Sequence, residues 1–447
     1  MTNYLEPALV LLLFGWFLST SQVPNLLLKQ ACLAGGYDPV DCSNLGQNNE
    51  TKSIEDKVQP KVALILVTTS VSSSVIAGVL ALLAGSWSDK FGRKKIIVAP
   101  FIGFSMALGS LTLLTILTEL KYVADPWFYF PPYLFISFSG GYSLMNLAVH
   151  CFIADITTEA NRSYRMTVLE MAMILGVIIG TASSSYVLEI FSTTSVFLVS
   201  TLIAAASTVY VIKFVSESME RIETASKLEQ IEELISTKPL IEIFKTVVKP
   251  RVSEGRKAIW IIIVLLVVHR ANVAATVDLF YLFVRQQFDW DLKEATVFSS
   301  ISMVIKFLGS FIGLILLKKL LKISDVFVAV FATVSFLLDS VIKVVARNSV
   351  QMYASAIIAM LEMLAVPMFR SIMSSIVSKN EYGKVLSFAT LAESFFCLFT
   401  SPIYFAVYTA TLNSLPGAFN LITVASCVLS LALIVTFKRI REIMLLI

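Results

Sequence analysis

Charged and titratable side chains set inside long apolar stretches carry the chemistry in this 447-residue chain: Glu170, His269, Arg270, Asp278, Lys306, Asp339, Lys343, Glu362, Arg370 and Glu393. A charge at the centre of a bilayer costs about 2.5 to 3.5 kcal/mol on insertion scales, so those a sequence keeps face a wet cavity or a partner. Glu170 precedes Gly176-x-x-x-Gly180, a spacing that lets another helix approach closely. A carboxylate there can load and release a proton as a cavity opens to alternate sides; a hydrogen bond to a neighbouring helix is the plainer role. Histidine titrates near neutral pH, and His269 shares a helix face with Asn272 and Thr276, which makes a polar stripe and a candidate proton relay. His150 has no such companions in sequence and reads as a packing histidine. Arg370 follows Pro367, where a kink would orient its guanidinium to grip a carboxylate or phosphate through two hydrogen bonds. An internal partner such as Glu362 is the alternative. Asp339 and Lys343, four residues apart, read as a structural ion pair. Glu170 and His269 are therefore the candidates for proton coupling, and Arg370, Asn272 and Glu393 those for binding a substrate. No Gly-rich phosphate loop, zinc-spaced His/Cys set or nucleophile triad is present, so neither an enzyme, a metal site nor a cofactor is expected.

The elements that must hold these groups are membrane helices. Hydrophobic residues make up 57% of the chain and charged ones only 15%, against about a quarter in soluble proteins. Mean hydropathy is +0.80. The net charge of +4 is too small to suggest a nucleic-acid partner. A bilayer core about 30 Å thick needs roughly twenty helical residues per crossing, and open strands in lipid would leave backbone groups unpaired. Twelve stretches fit: 5–28, 60–85, 96–118, 128–154, 166–190 and 194–215, then 258–283, 294–317, 323–345, 349–376, 384–410 and 415–437. The first lacks the basic start and cleavage site of a signal peptide and is read as a span. The long charged break at 216–257, with Leu228, Ile231, Leu234 and Ile235 at helical spacing, divides the chain into an N-terminal six-helix bundle (1–215), a linker (216–257) and a C-terminal six-helix bundle with a short tail (258–447). Two such halves around a midplane cavity form the major facilitator arrangement.

Basic residues gather at Lys90 to Lys95, at Arg162 and Arg165, in the linker, at Lys318 to Lys322 and at Lys438 to Arg441. All fall on one side of the twelve-span thread, which should be cytoplasmic and hold both termini. The first loop, 30–59, then faces outward. It carries Asn49-Glu50-Thr51, a glycan acceptor pattern, and Cys32 and Cys42, which face an oxidising compartment and either pair or stay as thiols.

Between spans two and three stands Gly85-Ser-Trp-Ser-Asp89-Lys-Phe-Gly92-Arg93-Lys94-Lys95. This resembles the signature loop of major facilitator transporters in content, spacing and position. The resemblance implies a latch at the cytoplasmic mouth that includes Gly85: Gly92 allows a tight turn, Asp89 faces the positive end of a helix in the other half, and Arg93 reaches Asp155 at the end of span four. The loop from Gly313 to Asp325 keeps Lys318 and Lys319 as a degenerate second copy.

Further residues are similar to the proton-coupled folate transporter family, solute carrier family 46. They are Glu6-Pro7, Phe152-Ile-Ala-Asp155, Arg165 with Leu169-Glu170, Val366-Pro367-Met-Phe-Arg370-Ser371, Gly383, Tyr408-x-Ala-Thr-Leu412 and Pro416-Gly417. The resemblance implies proton-linked symport of a small organic anion such as a folate, muropeptide or cyclic dinucleotide, driven by a proton gradient. Glu170 and the span-seven histidine would serve coupling, and Arg370 binding or coupling. Expected partners are the anionic solute, the proton and the lipid bilayer. A monomer or weak homo-oligomer in the plasma or lysosomal membrane is expected. A proton-independent carrier of the same fold is the alternative, and a non-transporting receptor a further one. Members of this family join the first loop to the seventh by a disulfide; residues 284–293 here hold no cysteine.

Overall fold

The computed structural model describes residues 4–45, 49–120, 125–219, 226, 229, 238–251, 254–288, 290, 292–411 and 414–446. Described elements are helical. The first half contains α1 (Glu6–Thr20), α2 (Val23–Ala34), α3 (Pro39–Ser43), α4 (Asn49–Phe91), α5 (Arg93–Glu119), α6 (Pro131–Phe138), α7 (Gly141–Ile156), α8 (Glu159–Ile190) and α9 (Thr193–Phe214). The linker contributes α10 (Lys238–Val248). The second half contains α11 (Gly255–Phe288), α12 (Leu292–Leu314), α13 (Asp325–Val345), α14 (Ser349–Ile358), α15 (Ala365–Ile376), α16 (Lys379–Thr411) and α17 (Asn420–Leu446).

Ten helical stretches among the described residues are long and apolar enough to cross a bilayer. The other two expected spans take different forms. Span two lies inside α4, which begins eleven residues earlier than its apolar stretch because Ile54 and Val58 extend the buried stripe of Val62 and Ile65 at helical spacing. Much of the expected loop 30–59 is therefore helix. Span four is broken between α6 and α7, where Gly140 and Gly141 both take positive φ, +85° and +49°. That backbone is open to glycine and closed to most other residues.

The chain packs as two units, three of whose five boundaries fall within helices. The first comprises residues 1–81, 93–149 and 172–217. In it α8 lies against α1 at the two glycines: a Cβ on Gly176 would stand 2.6 Å from the Val10 carbonyl oxygen, and one on Gly180 would stand 2.7 Å from that of Phe14. Ser105 and Thr112 of α5 meet Thr208 and Thr201 of α9, each pair at 2.8 Å. Cys32 and Cys42 are joined by a disulfide, Cα to Cα 5.5 Å, packed on Ile54. Asn49 is the first residue of α4, and its side chain lies outside the described residues. So do Leu228, Ile231, Leu234 and Ile235 of the linker.

The second unit comprises 82–92, 150–171 and 218–447. It gathers the end of α4, the end of α7 and the start of α8 onto the second half of the chain. Its span ten is interrupted at Ala359–Leu364 by a tighter helical turn, after which Pro367 sits in the first turn of α15. Proline is tolerated there because that amide has no partner within the helix. Ser310 of α12 donates to the freed Met360 carbonyl at 2.9 Å. This break, rather than Pro367 alone, sets the direction of α15 and of Arg370 on it.

Candidate functional site

Four ionisable side chains, three of them buried and Glu170 half-buried, meet in the second unit. Arg370 of α15 donates from Nη1 to Glu170 Oε1 of α8 at 2.7 Å. The same Nη1 lies 3.1 Å from His150 Nε2 of α7, and that nitrogen also stands 3.1 Å from Glu170 Oε1. Arg370 Nη2 is 3.7 Å from Glu393 Oε2 of α16. His150 is fully buried, and Arg370 and Glu393 nearly so. Glu393 Oε1 has no hydrogen-bond partner among the described residues. Arg270 of α11 is exposed and within electrostatic range of both Glu170 and Glu393. With a neutral imidazole, two guanidinium charges balance two carboxylates.

His150 is the member that sequence reasoning set aside. Its companions stand 20 residues away on α8 and 220 residues away on α15, so no local pattern marked it. Nε2 faces a carboxylate oxygen and a guanidinium together. Protonated, it donates to Glu170; deprotonated, it accepts from Arg370. Both protonation states are thus satisfied in one geometry.

The structure places the span-seven candidates elsewhere. The ring of His269 meets Phe336 of α13 edge-on at 5.4 Å, within electrostatic range of Glu362, Arg270 and Lys306. Asn272 donates to Ser426 Oγ at 2.6 Å and accepts from the Tyr404 hydroxyl at 2.9 Å, tying α11 to α17 and α16. Three residues on a helix turn the side chain by about 60°, which is enough to give His269 and Asn272 different neighbours. Thr276 bonds the Asn272 carbonyl of its own helix at 2.9 Å. Glu362 pairs with Lys306 at 2.5 Å rather than with Arg370, and Asp339 with Lys343 at 2.6 Å. These form a second buried ionic group on α12, α13 and the tight turn of span ten.

At the basic end of the helices, Gly92 takes φ +101° and turns the chain from α4 into α5. The amides of Arg93 and Lys94 donate to Glu217 at 2.8 and 3.0 Å, which caps α5 with a carboxylate. Gly85 backs onto α16: a Cβ there would lie 2.7 Å from the Gly383 carbonyl oxygen and 2.6 Å from Ser387. Asp89 follows one turn later, half-buried, and Asp155 accepts from Ser218 at 3.1 Å. Arg162, which counted in sequence only as a mark of sidedness, donates to the Ser374 carbonyl at 2.9 Å. In the second-half loop Lys318 pairs with Asp325, which accepts from Ser371 at 2.7 Å.

Comparison with known proteins identifies the superfamily and the fold. The chain matches the model of the Major Facilitator Superfamily over residues 9–401. It is 29% identical to the "Probable peptidoglycan muropeptide transporter SLC46" of Drosophila melanogaster over 93% of this chain and 82% of that protein. It is 23% identical to the "Lysosomal proton-coupled steroid conjugate and bile acid symporter SLC46A3" of Gallus gallus, over 96% and 92% of the two chains. Among solved structures it resembles the human organic anion transporter MFSD10 with a TM-score of 0.71 at 14% identity, covering 96% of this chain and 98% of that one, which concerns the fold alone. The chain therefore belongs to the Major Facilitator Superfamily: it is a multi-pass membrane transporter, similar to members of solute carrier family 46, and not an enzyme.

Proposed function

We propose that this transporter is a proton-coupled symporter of a small organic anion, working by alternating access between its two six-helix halves. The observation that carries the reading is the sharing of one buried guanidinium, Arg370, by Glu170, Glu393 and His150. An anionic solute that takes Arg370 must displace a carboxylate from it. The displaced Glu170 then stands uncompensated in a dry site and takes a proton, with His150 beside it as the donor or carrier. One proton together with one monoanion leaves the charge of the site unchanged. Either alone does not, and this makes their movement obligatory in pairs.

His269, in the second ionic group, is proposed as an accessory titrating residue; Asn272, held by Tyr404 and Ser426, as a support for α11. Exposed Arg270 is a second cation for the solute. The solute classes to screen first are muropeptides and steroid conjugates, which the relatives' names give, then folates and cyclic dinucleotides. Cytoplasmic termini and a plasma or lysosomal membrane location are part of the proposal.

The test is uptake into reconstituted vesicles with an imposed pH gradient. Wild-type uptake should rise when the outside is acidic, and Glu170→Gln should abolish that response while the protein remains folded and inserted. A pH response unchanged in Glu170→Gln would defeat the symport reading and leave a facilitative carrier.

A further inference from the structure

At the basic end of the second unit the start of α11 and the end of α17 border an open cavity of about 450 Å³. Its wall holds Arg256, Lys257, Trp260 and Glu254 on one side and Arg439 and Thr436 on the other. Among the described residues three cations thus face one carboxylate. Lys257 neutralises Glu254 at 2.6 Å, so Arg256 and Arg439 carry the excess. Arg256 makes a long contact of 3.4 Å to the Val248 carbonyl, which ties the cavity to the linker helix α10.

α10 is apolar on two faces. Ile243 and Val247 are fully buried, Glu242 is 3.0 Å from Lys384, and Phe244 meets Phe388 edge-on at 5.6 Å, a ring that also meets Trp260. Those contacts dock the helix on α16. Its outer side leaves Ile241 and Val248 52% and 50% exposed, next to exposed Lys245, and Phe244 at the edge of the docked face stays 55% exposed. Lys249 and Arg251 are both engaged with Glu381 and add nothing to the excess charge.

We propose that this cavity binds the phosphate headgroup of an anionic phospholipid, with the outer face of α10 covered by the same leaflet. Two guanidinium groups in one concavity suit a phosphate, which each can grip with paired hydrogen bonds. A tryptophan beside them sits where aromatic belts sit, at the level of the headgroups. Basic pockets between spans on the leaflet rich in Lys and Arg recognise acidic lipid headgroups. A soluble anion would satisfy the cations and leave Ile241, Phe244 and Val248 in water. A lipid satisfies both, because its acyl chains cover the apolar strip. The site is separate from the Arg370 cluster, so it stands whatever solute is carried.

The experiment uses the full chain in phosphatidylcholine nanodiscs doped with brominated lipid, reading quenching of Trp260 as the difference between wild type and Trp260→Phe. Brominated phosphatidylserine should quench at about a tenth of the mole fraction that brominated phosphatidylcholine needs. Arg256→Gln with Arg439→Gln should remove that preference, and the paired lysine substitutions should keep part of it. Soluble glycerophosphoserine should leave the quenching unchanged. Equal quenching by the two brominated lipids in wild-type protein overturns the proposal whatever the variants do. Displacement by the soluble headgroup overturns it as well, by assigning the cavity to a free anion.

Discussion

His150 Nε2 lies 3.1 Å from both a carboxylate oxygen and a guanidinium nitrogen, so the imidazole is the pivot of the buried cluster. Glutamine in its place can still bridge the two groups but cannot carry a proton. His150→Gln should therefore lower pH-driven accumulation by about tenfold or more while counterflow of solute at symmetric pH persists. Equal loss of both activities would make the residue a packing element. Arg370→Lys keeps the charge and loses the fork that reaches Glu170 and Glu393 in different directions. The expected result is a KM raised by about tenfold with a smaller change in maximal rate, measured by solute uptake. Glu170, Arg370 and Glu393 were legible in sequence because a charge inside an apolar stretch is conspicuous. The membership of the cluster was not, because it depends on how α7, α8, α15 and α16 meet. Arg370 had two candidate partners in the sequence argument, and Glu362 was lost to Lys306 only because α12 brings that ammonium to the tight turn of span ten.

Helix boundaries were readable where composition changes abruptly, and less so where geometry decides. The twelve apolar stretches include the ten long apolar helices of the described residues, but nothing in hydropathy marks the break of span four, which follows from adjacent glycines at positive φ. Nor does it mark the upward extension of α4, which depends on Ile54 and Val58 finding a partner surface. Close helix approach at Gly176 and Gly180 was legible from their spacing, and it makes a graded expectation. An added methyl at Gly176 meets backbone at 2.6 Å, whereas one at Gly109 finds its nearest neighbour, Thr201, at an ordinary 3.8 Å. Backbone cannot step aside as a side chain can, so Gly176→Ala should cost about 1 to 3 kcal/mol. Gly109→Ala should be neutral or slightly stabilising, since alanine favours helix over glycine by about 1 kcal/mol. Thermal unfolding of the two variants in detergent would separate them, and similar melting temperatures would refute the close approach of α8 and α1. The docking of α10 carries a pH expectation of its own. Glu242 is held below the ordinary carboxylate range by its hydrogen bond to Lys384, so the contact stabilises above the unfolded value and is lost as pH falls through the lower folded one. Protease protection of residues 238–248 should accordingly be the same at about pH 7 and about pH 5.5, both above that window.

At the scale of the whole molecule, the second unit joins the end of α4 and residues 150–171 to the second half of the chain at its basic end. Contacts that hold it include Gly85 on Gly383 and Ser387, Arg162 on Ser374, and Arg370 on Glu170. A space of about 190 Å³ remains beside Arg162, Lys318 and Asp325. Transport by alternating access requires these contacts to part, and Arg370 to Glu170 is the one that a bound anion and proton would weaken directly. The others are mechanical and should open as a consequence, which gives an experiment independent of the solute's chemistry. Arg162→Cys with Ser374→Cys, joined by a short bis-thiosulfonate linker, fixes the basic end shut without touching the buried cluster. Uptake should stop on linking and return on reduction, while binding of solute from the opposite side is retained. A linked protein that transports at the unlinked rate would show that the basic end need not open, and alternating access through this closure would have to be given up.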